Sequence, residues 1–376
     1  MRSGWLLLLV VGCGFAPQNA ASDATAGSDA DAAVMTDGAG MDVRDDDGAR
    51  RKPITIHAST GNQTDFPVWI DLADAEIAAR ARADGADIFF TAANGMPLDY
   101  ELQRWAPGAP RLQAWVRVPT LAHTDLTIYV EYGDLAKATP PNAAGVFRSN
   151  FVAVWHLDDT LASTTIADTT GTHPGTATAL APTAQVPAKL GGGVAFDGGG
   201  TAQIAFTNPL TGNTPHTISA WVNQAQTTHT SSIVMMGTGG TDQSRFLYGH
   251  YGSGTAIGVG QYNDDWSSAE DIEGAGWVLL HWVHEGNNKK THVYRDGVEI
   301  ANSPHMLSSA PATAGTTGLI GNAPAPSYGA ANGMDGMIDE LRIATVVRDA
   351  AWIATEYANQ NTPNTFYSVG AEQPVP

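Results

Sequence analysis

Asp339 and Glu340 are the carboxylates whose setting most invites chemistry. Two carboxylates about 5 to 10 Å apart, on one face of a cleft, can cleave a glycosidic bond between them. On a strand that requires acidic residues near i and i+2, because successive side chains alternate between faces. Asp339 and Glu340 are adjacent, so alternation sends them to opposite faces. Asp339 falls with Met337, Leu341 and Ile343 on the apolar side, and Glu340 with Ile338 and Arg342. A carboxylate on an apolar face has to be hydrogen-bonded, paired or metal-bound. Asp339 is therefore either a hydrogen-bonded residue that fixes local structure or a metal ligand.

The second chemical feature is aromatic. Phe246-Leu247-Tyr248-Gly249-His250-Tyr251 and Gln261-Tyr262-Asn263-Asp264-Asp265-Trp266 place rings beside amide, imidazole and carboxylate groups. Sugar rings stack on aromatic faces while such polar groups bond the hydroxyls. Tyr248, His250, Tyr262 and Trp266 are the candidate ligand-binding residues, with Trp266, which follows two Asp in a polar loop, the best candidate for an exposed ring. The competing reading is that alternate rings are simply core.

Other catalytic patterns fail on spacing. Gly252-Ser253-Gly254 follows Tyr251 and is not a nucleophile elbow. His284-Glu285 has no second His four residues on, so it is not a zincin helix. The Asp run before Gly48 has Val43 where a calcium loop needs an oxygen ligand. No catalytic residue is assigned, and the chain reads as a non-enzyme.

The chain that must position these residues has 376 residues, 43% hydrophobic and 15% charged, with 41 Gly and 21 Pro. That favours many turns and short strands, in two domains with non-globular extras. A net charge of −19 excludes phosphate backbones and anionic lipid headgroups as partners and admits a divalent cation. The single cysteine, Cys13, leaves the folded region to be held by core burial.

The N-terminus reads as an address. Met1-Arg2-Ser3-Gly4, an apolar run Trp5 to Val11, and Gly12-Cys13 form a secretory signal too short to span a bilayer. Val10-Val11-Gly12-Cys13 resembles a bacterial lipobox, which makes Cys13 the expected lipidation site; an ordinary signal with an incidental Cys is the alternative. Gly14 in place of Asp after the Cys fits export to the outer membrane or cell surface of a Gram-negative bacterium. Residues 14–49, rich in Ala, Asp, Gly, Ser and Thr, read as a disordered acidic linker.

Two β regions follow. In 50–149, Leu112, Ala114, Val116 and Val118 alternate with Gln113, Trp115 and Arg117, and Leu126, Ile128, Val130 and Tyr132 alternate with Thr127, Tyr129 and Glu131. Period-two alternation marks half-buried strands. Ala73 to Ala83 reads as a helix, rich in Ala. From Phe151 on, strand-sized runs recur between Gly-rich turns, with a tight hairpin at Asp296-Gly297, as in a closed sandwich.

Specific motifs carry a resemblance. Arg51 to Ile56, Thr64 to Val68, Asp84 to Thr91, Leu98 to Leu102, Ala114 to Pro119 and Thr127 to Gly133 resemble, in order and spacing, the bacterial domain of unknown function 2341. Val194 to Gly198, Thr217 to Val222, Trp277 with Trp282 and Val293 to Gly297, Gly318 to Asn322, and Asp335 to Ile343 resemble a laminin-G-like, concanavalin A-like jelly roll over 150–371. Ala350 to Tyr357 is expected as a closing helix and Thr365 to Gly370 as a last strand. His281 to His284 departs from the family, whose members more often pair two histidines just after the Trp.

The resemblance implies an all-β protein of two β-sandwich domains. It implies a non-catalytic surface-anchored protein that binds a polysaccharide or an envelope or extracellular protein partner, with a purely structural or adhesive protein as the alternative and a glycan-active hydrolase behind it. Because many laminin-G-like sandwiches carry structural calcium, Asp339 with Asp158 as co-ligand is the candidate calcium site.

Overall fold

The computed structural model describes residues 48–376 apart from 58, 135, 137–139, 239, 253–255, 263 and 324–331. The signal, Cys13 and nearly all of the linker lie outside the described residues, as does Asn263. The described part is mostly β, its strands pairing antiparallel, and both sandwiches belong to one compact unit.

The first sandwich has two sheets. Gln63–Leu72, Arg111–Leu121 and Tyr100–Ala106 form a three-stranded one. The other carries Arg50–Ile56, Leu126–Tyr132 and Phe89–Ala92. Leu112, Ala114, Val116 and Val118 turn into the core between them with Ile128, Val130 and Tyr132, as their alternation requires. The expected helix is shorter, Ala75–Arg80, and Asp74 caps its first turn. The expected last strand forms, as Tyr367–Val369, but on a different domain: it pairs with Arg50–Ile56, and Gln373–Pro374 follows it there. The C-terminal residues therefore complete the first sandwich rather than close the second.

The second sandwich is a jelly roll of larger sheets. A nine-stranded sheet centres on Asp335–Ala344, His216–Gln224 and Val278–His284. An eight-stranded sheet includes Ala256–Gly260, Ser244–His250, Ser231–Gly237, Thr317–Ile320 and Gln203–Thr207. Ile218, Ala220, Val222, Leu280, Trp282 and Ile338 meet Ile204, Ile233, Val234, Leu247, Val259 and Ile320 between the sheets. Such sheets pack about 10 Å apart, with the space filled by alternate side chains.

The two sandwiches are joined face to face. Trp69 and Trp115, on the face of the three-stranded sheet that alternation leaves outside its own core, pack with Phe147, Val154, Trp221 and Leu279. The helix Ala350–Asn361 bridges both parts. Its Trp352 enters the first core. Its Asn359 accepts from the Trp69 N–H at 2.7 Å and donates to the Trp69 carbonyl at 3.0 Å, as a paired strand would. This docking covers the middle of the outer face of the nine-stranded sheet, where Trp221, Leu279, Glu340 and Arg342 are buried, and that burial decides what the polar residues there can do.

Candidate functional site

Asp339 and Glu340 do not alternate. Opposite them on His216–Gln224 the register shifts between Ser219 and Trp221, and Glu340 takes φ +52°. That is the signature of a bulge, in which an extra residue keeps the pleat from reversing. Ile338, Leu341 and Ile343 still point into the jelly-roll core. Asp339 sits opposite Trp221, whose ring packs in the interface between sandwiches. Glu340 bonds His156 and Arg342, and the Arg342 guanidinium lies 4.2 Å over the Trp115 ring. The expectation that the two carboxylates face opposite ways is therefore corrected: both turn toward the first sandwich.

They enter a chain of charged groups that crosses the interface. Glu101, from Tyr100–Ala106, lies 3.0 Å from His156 Nε2, and Glu340 lies 2.8 Å from His156 Nδ1. Arg342 donates to Glu340 at 2.7 Å and to Glu356 of the bridging helix at 3.1 Å. Glu356 also receives Trp352 Nε1 at 3.2 Å and Gln360 Nε2 at 3.1 Å, and lies 3.2 Å from His281 Nε2. Burial opposes ionisation of Glu340 and Glu356, but their cationic neighbours outweigh it. Glu340 is held below the usual range by His156 and Arg342, and Glu356 falls to about 2 through His281 and Arg342. Burial likewise works against the His156 imidazolium, yet Glu340 and Glu101 raise its pKa well above the ordinary histidine value.

Asp339 is the exception. Burial, then the charge of Glu340, push its carboxyl well above the usual range. Its Oδ2 accepts the Leu190 N–H at 2.9 Å, and its Oδ1 meets no partner among the described residues. Asp339 is a hydrogen-bonded residue, as the first of its two readings has it. Asp158 is exposed and accepts from Gln103 Nε2 at 3.0 Å. The pair does not fit the expected calcium ion, which takes 6–8 oxygen ligands and favours ionised ones. Burial holds the Asp339 carboxyl well above the usual range, which disfavours the ionised form a cation would need, and no group of three or more His, Cys, Asp or Glu among the described residues could hold a metal.

The aromatic candidates divide. Tyr248 and His250 are buried. The ring of Tyr248 lies against Phe246 at 5.8 Å and Tyr251 at 5.0 Å, and His250 Nδ1 lies 2.6 Å from Glu273. Trp266 is not an exposed loop residue. It starts the strand Trp266–Asp271, packs against the jelly-roll core and stacks on His305 at 5.4 Å. Tyr262 and Tyr251 are half-buried and rest on a cluster of Met235, Phe246, Tyr248, Leu319 and Ala323. That cluster belongs to the face of the eight-stranded sheet that points away from its partner, where Leu247 and Ile320 point inward. The Tyr251 hydroxyl donates to the exposed Asp265 at 3.0 Å. Gly258 makes this possible, because a Cβ there would stand 2.8 Å from the Tyr251 Cβ.

Sequence reasoning named Tyr262 but not Tyr251 and Asp265, which lie beside it, and did not reach the charged chain from Glu101 to His281. One signal was present: Trp69 and Trp115 sit on strand faces otherwise read as polar, and a Trp there implies a covered face.

The comparisons agree with this architecture. Residues 197–354 match the concanavalin A-like lectin/glucanases superfamily, and residues 84–166 match the domain of unknown function 2341. The two matches follow one another along the chain. The match to the domain of unknown function runs through 151–166, whose strands the structure places in the jelly roll. No curated protein matches the chain. Among solved structures, domain 4 of an extracellular arabinanase from Geobacillus stearothermophilus, in complex with arabinotriose, is 22% identical, covering 56% of this chain and 98% of that domain at a TM-score of 0.43. The Trypanosoma rangeli sialidase is 14% identical, covering 69% of this chain and 41% of the sialidase, also at 0.43. These likenesses concern the fold alone.

Proposed function

We propose that the concanavalin A-like domain is a non-catalytic glycan-binding module that uses Tyr251, Tyr262 and Asp265. The observation that carries this reading is the outward aromatic cluster. A sandwich strand normally presents polar residues on its outer side, yet here Phe246 and Tyr248 point outward and support two half-buried tyrosines beside an exposed carboxylate. Ring faces for sugar C–H groups, with a few placed polar groups for hydroxyls, are what a saccharide site needs. Substituting Tyr262→Ala should weaken binding about two- to tenfold, the loss of one aromatic contact of about 0.5–1.5 kcal/mol. Glycan-array binding of wild type that survives Tyr262→Ala at equal strength would sink the reading.

The non-catalytic part rests on where the acids are. Glu340 and Glu356, two carboxylates that share Arg342, are buried under the first sandwich. A hydrolase needs its pair open to substrate and water. A purely structural role is the second reading, favoured by the complete burial of Tyr248.

From the lipobox-like Val10-Val11-Gly12-Cys13, we further propose that Cys13 carries a lipid anchor at the outer membrane. Replacing Cys13→Ser should move the protein from the membrane to the aqueous fraction on detergent partition, and an unchanged distribution would refute it.

A further inference from the structure

One end of the space between the jelly-roll sheets is polar and carries a buried guanidinium. Arg245 shares the inward face of Ser244–His250 with Leu247, a core residue, while Phe246 between them points outward. It is 1% exposed. None of its three guanidinium nitrogens meets a hydrogen-bond acceptor among the described residues. Across the space, His216 and His284 are register partners on the nine-stranded sheet, with rings 5.2 Å apart. They lie on the same side as Ile218 and Trp282 of the core.

Both imidazoles are neutral, and their tautomers follow from their partners. His216 Nδ1 lies 2.7 Å from the Thr214 carbonyl and so carries the proton. His284 Nε2 donates to Asn213 Oδ1 at 2.7 Å, because Asn213 Nδ2 is committed to the Gly286 carbonyl at 2.9 Å. Burial, then the charge of Arg245, hold His216 well below the ordinary histidine value and bring His284 to about 3. The histidines therefore add no charge. Burial brings Arg245 down to about 10, still a cation at neutral pH.

A buried guanidinium with five N–H donors and no counter-charge is strongly destabilising unless something offsets it. We propose that Arg245 is the centre of a buried binding site for one small monovalent anion of halide type, held between the two sheets of the jelly roll. The charge argues for a monovalent guest: one fixed positive charge faces two neutral rings, too little to hold phosphate or sulfate. The surroundings argue for a small one, since Met236 beside Arg245 and Leu247 next along are core residues. Such an anion would stabilise the folded state by mass action, because the unfolded chain has no such site.

The full chain can be melted in sodium chloride or bromide and in sodium gluconate at equal ionic strength. Crystals grown in bromide give a direct view by anomalous scattering. A melting temperature that rises by a few degrees with halide and saturates, with a bromide peak within hydrogen-bond reach of the guanidinium, is the expected result. Arg245→Met should remove the halide dependence. Equal melting in both salts, or a bromide-containing crystal with no peak at Arg245, overturns the proposal. Both wild-type measurements decide it even where the variant fails to fold.

Discussion

Replacing Arg342→Met should cost about 3–5 kcal/mol of stability, the usual penalty for breaking a buried ion pair from one side. Arg342 is the cation between Glu340, on its own strand, and Glu356, on the helix that bridges the sandwiches. Neither glutamate can reach water to replace the lost bonds, since both are buried. The Met chain would retain much of the contact with Trp115 now made by the guanidinium, so the loss reports charge and hydrogen bonding more than volume. Arg342→Lys should recover only part of it, because an ammonium cannot present the planar fork that serves two carboxylates at once. Urea unfolding at neutral pH, followed by tryptophan fluorescence, measures both. A midpoint for Arg342→Met that matches wild type would mean that packing alone holds the interface.

The same network shows where sequence reading stops. Local pattern sufficed for the strands. Leu112, Ala114, Val116 and Val118 alternate into one core, and the run Asp335–Ala344 forms the long strand its motif implies. The facing of Asp339 and Glu340 did not follow from pattern. It depends on a bulge set by pairing with Ser219 and Trp221, more than a hundred residues away, and strand alternation carries no mark of a partner's register. The Tyr367–Val369 strand was legible as a strand, but its partner, Arg50–Ile56 at the other end of the folded region, was not. Tyr248 and Tyr262 were both legible as ring candidates, and they fall in one outward cluster. Which of them stayed accessible depended on what packs around the sheet. Arg245 passed unnoticed because an Arg beside Phe246 in a strand reads as an outward polar residue. Only the position of Leu247 in the core shows that it faces in.

Asp339→Asn should be neutral near pH 3 and stabilising by more than about 1 kcal/mol near pH 8, because each pH unit between the unfolded and folded values of the Asp339 carboxyl costs about 1.4 kcal/mol. In the unfolded chain the Asp339 carboxyl ionises near the ordinary value of about 4. In the folded protein burial and Glu340 keep it protonated to higher pH. Above the unfolded value the unfolded state therefore releases a proton that the native state retains. Native stability then falls by about 1.4 kcal/mol for each pH unit until the folded group also ionises. Asparagine keeps an oxygen for the Leu190 N–H and has nothing to ionise, so it escapes that loss. The acid-side groups behave oppositely. Glu340 and Glu356, with lowered pKa values, stabilise above the ordinary carboxylate range and lose that contribution as pH falls, in both proteins alike. His156, with its raised pKa, contributes fully below about 6.5 and loses its contribution as pH rises through its folded value. Wild type should therefore weaken toward alkaline pH for two reasons and the variant for one. Urea midpoints of the two proteins from pH 3 to pH 9 should coincide at the acid end and separate as pH rises. A constant offset across that range, or a variant less stable at pH 8, would show that Asp339 is ionised and compensated in the folded protein.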